Sequence, residues 1–170
     1  AVHSPPMKLS KTHVFAAPIE KVWAMFTDPA AHVAKFESMG PAKIEVVEAD
    51  ITDDGCRIVV SRDVTLELPS FAKKVLQPTT TVVSTDRWTA DPDGTYGGTF
   101  SAATKGAPVE VTGTTRLVAD GDDSTTYTVS TEVKVKVPLI GGKIEKFFEG
   151  DIRKQIDDEF ACGDAWLAAH

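Results

Sequence analysis

Cysteine and histidine are scarce in this chain of 170 residues, which contains two cysteines and four histidines. Cys56 and Cys162 lie far apart and form no CxxC pair, so neither a disulfide framework nor a metal site is predicted. We expect two free thiols in a reducing compartment. The histidines share no spacing typical of a metal site or a catalytic triad. They are His3, His13, His32 and His170.

Long apolar runs, targeting signals and cofactor motifs are also missing. No segment approaches the ~20 apolar residues that a membrane-spanning helix needs, so we expect no stable membrane insertion. Residues 1–8 lack the apolar core of a signal peptide, which favours a cytoplasmic protein. The sequence contains no P-loop, GxGxxG, HExxH or GxSxG motif, and we therefore expect no cofactor and no bound metal.

Basic residues are outnumbered by acidic ones. The chain has 18 Lys and Arg residues and 25 Asp and Glu residues, which give a net charge of −7. The basic residues form no run. An acidic surface repels phosphate backbones, so we expect no nucleic-acid partner. The oligomeric state is not predicted by any of these features.

A strong helical pattern runs from Lys143 almost to the end of the chain. Its apolar residues recur at three- and four-residue steps and therefore share one face of a helix. They are Ile144, Phe147, Phe148, Ile152, Ile156, Phe160 and Leu167. The other face is charged and includes Glu145. A long helix with one broad apolar face needs a sheet to pack against.

The upstream residues predict that sheet. After a loose tail at 1–7, a strand is expected over 8–16, then a helix from Pro18 to Asp28-Pro29 and a second short helix over 30–39. Turns containing Asp-Gly favour hairpins at three of the connections between the remaining strands. The other two connections are a connector from Pro69 to Pro78 and the segment Gly106-Ala107-Pro108. These strands cover 43–52, 56–68, 79–91, 95–105, 109–119 and 124–137.

Residues 8–170 are thus expected to form a single α+β domain. A seven-stranded antiparallel sheet must curl, and the terminal helix is the natural cover for its concave face. The two short helices after strand 1 would close one end. The open question is whether helix and sheet enclose a solid core or a pocket.

Residues 16–29 read AAPIEKVWAMFTDP. This string resembles the opening signature of the START-like superfamily, which has the helix-grip fold. Within it the chain most resembles a poorly characterised actinobacterial family, with a similar Trp88…Pro92-Asp93-Gly94 segment and a similar entry to the last helix, PLIGGKIE, at 138–145. The resemblance covers about residues 8–168. It implies a hydrophobic cavity between sheet and helix, and it supplies no catalytic residues that match here.

One arginine interrupts an otherwise apolar strand face. In the strand 56–68, Arg62 alternates with Val60 and Val64, and a buried guanidinium needs a partner. Asp86 lies on the predicted inner face of the strand 79–91 and is a possible partner. Arg62 could anchor a carboxylate or carbonyl of an apolar ligand, or it could form a structural ion pair or turn outward at a bulge.

The other candidate ligand-binding residues are aromatic and aliphatic. Tyr96 could place a polar tip in the cavity or could be a core aromatic with its hydroxyl at the rim. The stripe on the terminal helix could line a pocket or fill the core. The candidates besides Arg62 and Asp86 are Trp88, Tyr96, Phe100, Phe147, Phe148 and Ile152.

Three functions fit these features. The first is binding or transport of a small hydrophobic ligand, such as a lipid, a sterol-like molecule or a polyketide. The second is a cyclase, aromatase or dehydratase that uses the same cavity, with Arg62, Asp86 and Tyr96 as its polar residues. The third is a partner-binding module with a filled interior. The sequence favours binding over catalysis without identifying a ligand.

Overall fold

The protein was analysed as a computed structural model that describes residues 7–40 and 42–170. The predicted tail at 1–7 lies outside these residues except for Met7, which begins the first strand. Ten elements follow one another: β1 (Met7–Phe15), α1 (Ile19–Phe26), α2 (Pro29–Ser38), β2 (Ala42–Thr52), β3 (Gly55–Thr65), β4 (Thr79–Ala90), β5 (Tyr96–Thr104), β6 (Val109–Ala119), β7 (Thr125–Val135) and α3 (Gly141–Ala169).

The seven strands form one antiparallel sheet in the order β1-β7-β6-β5-β4-β3-β2. Short turns join β2 to β3 and each consecutive pair from β4 to β7 as hairpins, whereas residues 66–78 form a longer β3–β4 connector. Strand β1 completes the sheet beside β7. Gly94 and Gly121 adopt positive φ angles of 86° and 79° in two of the hairpin turns, a conformation that glycine adopts without strain. The predicted α+β architecture, with its curled sheet, two short helices and long terminal helix, is confirmed.

Two glycines on the inner face allow neighbouring groups to approach the sheet closely. A Cβ atom at Gly98 would overlap the carbonyl oxygen of Arg87 and approach Thr115 Oγ1 to 2.7 Å. A Cβ atom at Gly113 would overlap the carbonyl oxygen of Ser130 and the ring of Phe100. These positions therefore require residues without a side chain where the sheet curls.

Helix α3 lies across the sheet and begins two residues earlier than predicted. Glu145, expected on its charged face, is instead buried, and its Oε1 accepts a hydrogen bond of 2.8 Å from the backbone nitrogen of Val135. This bond ties the end of β7 to the first turns of α3. No helix in the described part of the chain is long and apolar enough to cross a membrane.

The buried apolar residues of the described chain form four clusters, and the two largest lie near the two ends of the sheet. One cluster joins β1, α1 and the end of α3, and contains Phe15, Val22, Met25, Trp88, Leu117 and Leu167. The other joins the β3–β4 connector to the start of α3, and contains Leu68, Ala72, Leu76, Val135, Ile144 and Phe148. The space between these clusters is where a cavity can form.

Candidate functional site: a cavity with two polar groups

A cavity of about 830 Å³ lies between the concave face of the sheet, helix α2 and helix α3. Its wall is mostly apolar and is built from side chains such as Val64, Val82, Val111, Val129, Val133 and Ile156. The interior is therefore not filled, which removes the expectation of a partner-binding module with a solid core. Volumes of this size are typical of sites for drug-sized ligands.

Arg62 lies in the wall of this cavity and is only 7% exposed. Its Nη1 donates a hydrogen bond of 2.7 Å to Ser84 Oγ, and its guanidinium carbon lies 4.0 Å from the centre of the Phe36 ring. The ring face stabilises the cation, which compensates for part of the lost hydration. Burial lowers the pKa of Arg62, while the charges of Glu159 and Asp86 act in the opposite direction.

The expected pair between Arg62 and Asp86 does not form. Arg62 is opposite Val82 in the register of β3 and β4, whereas Asp86 is opposite Ile58. The two residues are thus offset by four positions, or roughly 13 Å along the strands. Ser84 is only two positions away, and so it receives the hydrogen bond. Among the described residues, no carboxylate lies within 4.0 Å of the Arg62 guanidinium.

Asp86 instead faces His32, which enters the cavity wall from the first turn of α2. The His32 ring is 5% exposed, and its Nδ1 lies 3.8 Å from Asp86 Oδ2. Its Nε2 is 2.7 Å from the carbonyl oxygen of Phe26. Burial, followed by the charge of Lys35, lowers the pKa of His32, and the charge of Asp86 raises it less strongly.

Two further polar side chains reach the same space. Tyr127 lines the cavity from β7, and burial together with the charges of Glu159 and Asp86 raises its pKa, so the phenol is neutral and can donate a hydrogen bond. Glu159 lines the cavity from α3, and its Oε1 lies 4.0 Å from Lys35 Nζ.

The structure brings six of the eight candidate binding residues to the cavity wall and leaves two elsewhere. Those in the wall are Arg62, Asp86, Trp88, Phe100, Phe148 and Ile152. Tyr96 packs instead against Trp23, with the ring centres 4.1 Å apart. Phe147 is 38% exposed and meets Phe71 edge to face with ring centres 6.3 Å apart. Tyr96 is the first residue of β5, at the end of the sheet that α1 covers. Phe147 lies on the edge of the apolar stripe of α3.

Sequence reasoning missed the contributions of His32, Tyr127 and Glu159. Tyr127 could have been found, because it alternates with Val129 and Thr131 on the inner face of β7. His32 gave no signal of this kind, since α2 shows only a weak apolar stripe. Its role depends on how α2 lies over β4, which no local pattern reveals.

Some lining residues also reach solvent and mark the entrance. They come from the end of α2, the β3–β4 connector and the middle of α3, and include Ser38, Gln77 and Gln155. Ser38 Oγ and Cys162 Sγ lie 2.9 Å apart and link α2 to α3 beside this opening. Among the described residues, no three His, Cys, Asp or Glu side chains gather as a metal site requires.

Solved structures with the same architecture include proteins of several kinds. The Zhui aromatase/cyclase from Streptomyces sp. R1128 aligns with a TM-score of 0.64 and 16% identity over 96% of this chain and 94% of that one. The human StarD13 lipid transfer and protein localization domain aligns with a TM-score of 0.62 and 13% identity over 95% and 77%. Norcoclaurine synthase from Thalictrum flavum aligns with a TM-score of 0.55 and 16% identity over 97% and 88%.

At identities this low, the likeness shows the shared helix-grip fold and nothing of the ligand. A family described as "Protein of unknown function (DUF2505)" matches residues 10–167, nearly the whole chain. No curated protein matches the sequence.

Proposed function

We propose that this chain, which belongs to the DUF2505 family of proteins of unknown function, binds and carries a small hydrophobic ligand in the cavity beneath α3. The ligand classes that fit are lipids, sterol-like molecules and polyketides. The observation that carries the proposal is a buried arginine in the wall of a mostly apolar cavity of about 830 Å³. The two free cysteines favour a reducing compartment, and we place this function in the cytoplasm.

Apolar contact would supply most of the affinity, and Arg62 would fix the orientation of the ligand. A guanidinium has five N–H donors, and the single side-chain hydrogen bond that Arg62 makes to the described residues is the one to Ser84. A carboxylate or carbonyl on the ligand would accept from the remaining donors. Bonds of this charge-assisted kind are stronger than those between neutral groups.

The test compares matched ligands by native mass spectrometry and isothermal titration. Palmitic acid and hexadecanol share their apolar chain and differ in the group that Arg62 would bind. We expect the natural protein to bind palmitic acid at least about tenfold more tightly than hexadecanol, because a hydrogen bond to a charged group contributes about 1.5–3 kcal/mol. The substitution Arg62→Met should remove this preference.

Arg87→Met is the matched control, since Arg87 is exposed on the outer face of β4. It should leave the preference for the acid unchanged. Phospholipids, steroid acids and aromatic polyketides extend the panel. If no member of any class binds to the natural protein at micromolar concentrations, the binding function is wrong.

A second candidate is catalysis of the cyclase, aromatase or dehydratase type in the same cavity. It is favoured by the buried His32 and the partly buried Asp86, which could move a proton on a bound polyketide. Tyr96 no longer belongs to this hypothesis, because it packs against Trp23 away from the cavity wall. Incubation with aromatic polyketide precursors, followed by mass spectrometry, should show a mass loss of one water or a shifted absorption spectrum. If the substrate is recovered unchanged, the catalytic hypothesis is wrong and only the binding function remains.

A further inference from the structure

His32 is a residue of the cavity wall and has an unpaired, buried hydrogen-bond acceptor. Its Nε2 contacts the carbonyl oxygen of Phe26 at 2.7 Å, and a carbonyl can only accept. The proton of the neutral ring is therefore on Nε2, and Nδ1 carries the lone pair. His32 Nδ1 is buried and has no hydrogen-bond partner among the described residues. Leaving such an atom unsatisfied destabilises the free protein.

The nearest charged group does not satisfy this nitrogen. Asp86 Oδ2 lies 3.8 Å away, beyond hydrogen-bond distance, and an ionised carboxylate also only accepts. Two acceptor atoms therefore lie 3.8 Å apart in the cavity wall. The lowered pKa of His32, caused chiefly by burial, keeps the ring neutral near pH 7. A hydroxyl beside the two groups would donate its one hydrogen to His32 Nδ1, the atom of this pair that is buried without a partner among the described residues.

A second unpaired polar atom lies at the same end of the cavity. Thr115 Oγ1 is buried without a hydrogen-bond partner among the described residues. Thr115 is opposite Gly98 on β5, which in turn is opposite Trp88, the next inward-facing residue after Asp86. This end of the wall thus contains two buried polar atoms, His32 Nδ1 and Thr115 Oγ1, that have no hydrogen-bond partner in the described chain.

We propose that His32 Nδ1 and Asp86 form a second polar subsite, which accepts a hydrogen bond from a hydroxyl group of the ligand. The inference rests on the proposed binding function and narrows its ligand class. The ligand would be an apolar molecule with a carboxylate or carbonyl at Arg62 and a hydroxyl at His32 and Asp86.

The register sets the spacing between these two ligand groups. Asp86 is two positions from Ser84, which holds the Arg62 guanidinium, and four positions from Val82, which is opposite Arg62. At about 3.3 Å per residue, the hydroxyl and the acceptor group are separated by roughly 7–13 Å. Hydroxylated fatty acids, hydroxylated steroid acids and phenolic acids with fused rings can meet this requirement.

The test uses pairs of probes that differ by one hydroxyl. They are stearic acid with a set of hydroxystearic acids substituted at successive carbons, cholanic acid with lithocholic acid, and naphthoic acid with its hydroxy derivatives. We expect at least one hydroxylated probe to bind about tenfold more tightly than its parent, because its hydroxyl donates to a buried acceptor that is otherwise unpaired. Isothermal titration at pH 7.5 measures the ratio.

The substitution Asp86→Asn tests where the hydroxyl binds. The amide can donate to His32 Nδ1, so the hydroxyl is no longer needed and the preference should fall to about twofold or less. His32→Leu, which removes the unpaired acceptor, should have the same effect. Asp122→Asn, in an exposed turn, is the matched control and should retain the full preference. Thermal unfolding confirms that each variant is folded.

The possible failures are distinguishable. Equal affinity within every pair would overturn the subsite while leaving the binding function intact. A hydroxyl preference that persists in both Asp86→Asn and His32→Leu would place the hydroxyl elsewhere and also overturn it. Absence of binding by all probes would contradict the binding function on which the subsite rests.

Discussion

Individual buried polar side chains distinguish this interior from an ordinary core. Arg62 and His32 are 7% and 5% exposed, and each satisfies only part of its hydrogen-bonding capacity within the described chain. Buried polar groups normally have hydrogen-bond partners, and a buried group that lacks some of them lowers the stability of the fold. Both residues also line the cavity, where a ligand can complete their bonding. This is the arrangement that the proposed binding function requires.

His32 should make the stability of the free protein depend on pH. Burial lowers its pKa below the ordinary value of 6.5. Above pH 6.5 the ring is neutral in both the folded and the unfolded chain. As the pH falls below 6.5, the unfolded chain binds a proton that the folded chain does not, and the free energy of unfolding decreases until the lowered pKa is reached. The slope from one such group is at most about 1.4 kcal/mol per pH unit.

The variant His32→Gln isolates this contribution, because glutamine can still donate to the carbonyl of Phe26 but does not titrate. We expect urea unfolding between pH 8 and pH 5.5 to show a shallower loss of stability in His32→Gln than in the natural protein. His170→Gln removes an exposed histidine and serves as the control. Parallel curves for His32→Gln and the natural protein would contradict the expected pKa shift.

For helices and strands, the sequence predicted correctly those features that depend on residues close together in the chain. Alternation and Asp-Gly turns predicted every strand, and the apolar stripe predicted α3. The pairing of Arg62 with Asp86 was wrong because it depends on the register between β3 and β4, which places Ser84 nearer to the arginine. The role of His32 was missed because it depends on the packing of α2 over the sheet.

Two glycines should respond to alanine in opposite directions because their surroundings differ. A Cβ atom at Gly113 would overlap the neighbouring strand and the Phe100 ring, so Gly113→Ala should lower the free energy of unfolding by about 1–3 kcal/mol. A Cβ atom at Gly150 would meet nothing within 4 Å, and this glycine lies inside α3. Gly150→Ala should therefore raise stability by about 0.5–1 kcal/mol, since alanine favours the helix.

Urea unfolding at constant pH measures both substitutions. Open space around the Gly150 Cβ position argues against close packing of this glycine on the sheet. If Gly150→Ala lowered stability, a special backbone conformation at this position would be required. If Gly113→Ala left stability unchanged, the sheet would have to relax without cost.

For the whole molecule, the cavity that would hold a ligand lowers the stability of the free protein. The two solid clusters at the ends of the sheet hold the fold together, while the space between them gives up packing that a filled core would supply. The Arg62–Ser84 pair lies in that space. If the Arg62–Ser84 pair serves ligand binding, removing it should not lower the stability of the free protein.

The double substitution Arg62→Met/Ser84→Ala tests this directly, because it removes both hydrogen-bonding partners together and leaves neither one buried alone. Replacing a buried polar pair by apolar groups of similar volume is often neutral or stabilising. We expect the free energy of unfolding to stay within about 1 kcal/mol of the natural value or to rise, while the stabilisation by palmitic acid is largely lost. Arg62→Met alone should be less stable than the double variant, since it leaves the Ser84 hydroxyl without its partner. A loss of more than about 3 kcal/mol in the double variant would instead identify the pair as part of the folding core, as expected for a broken buried network.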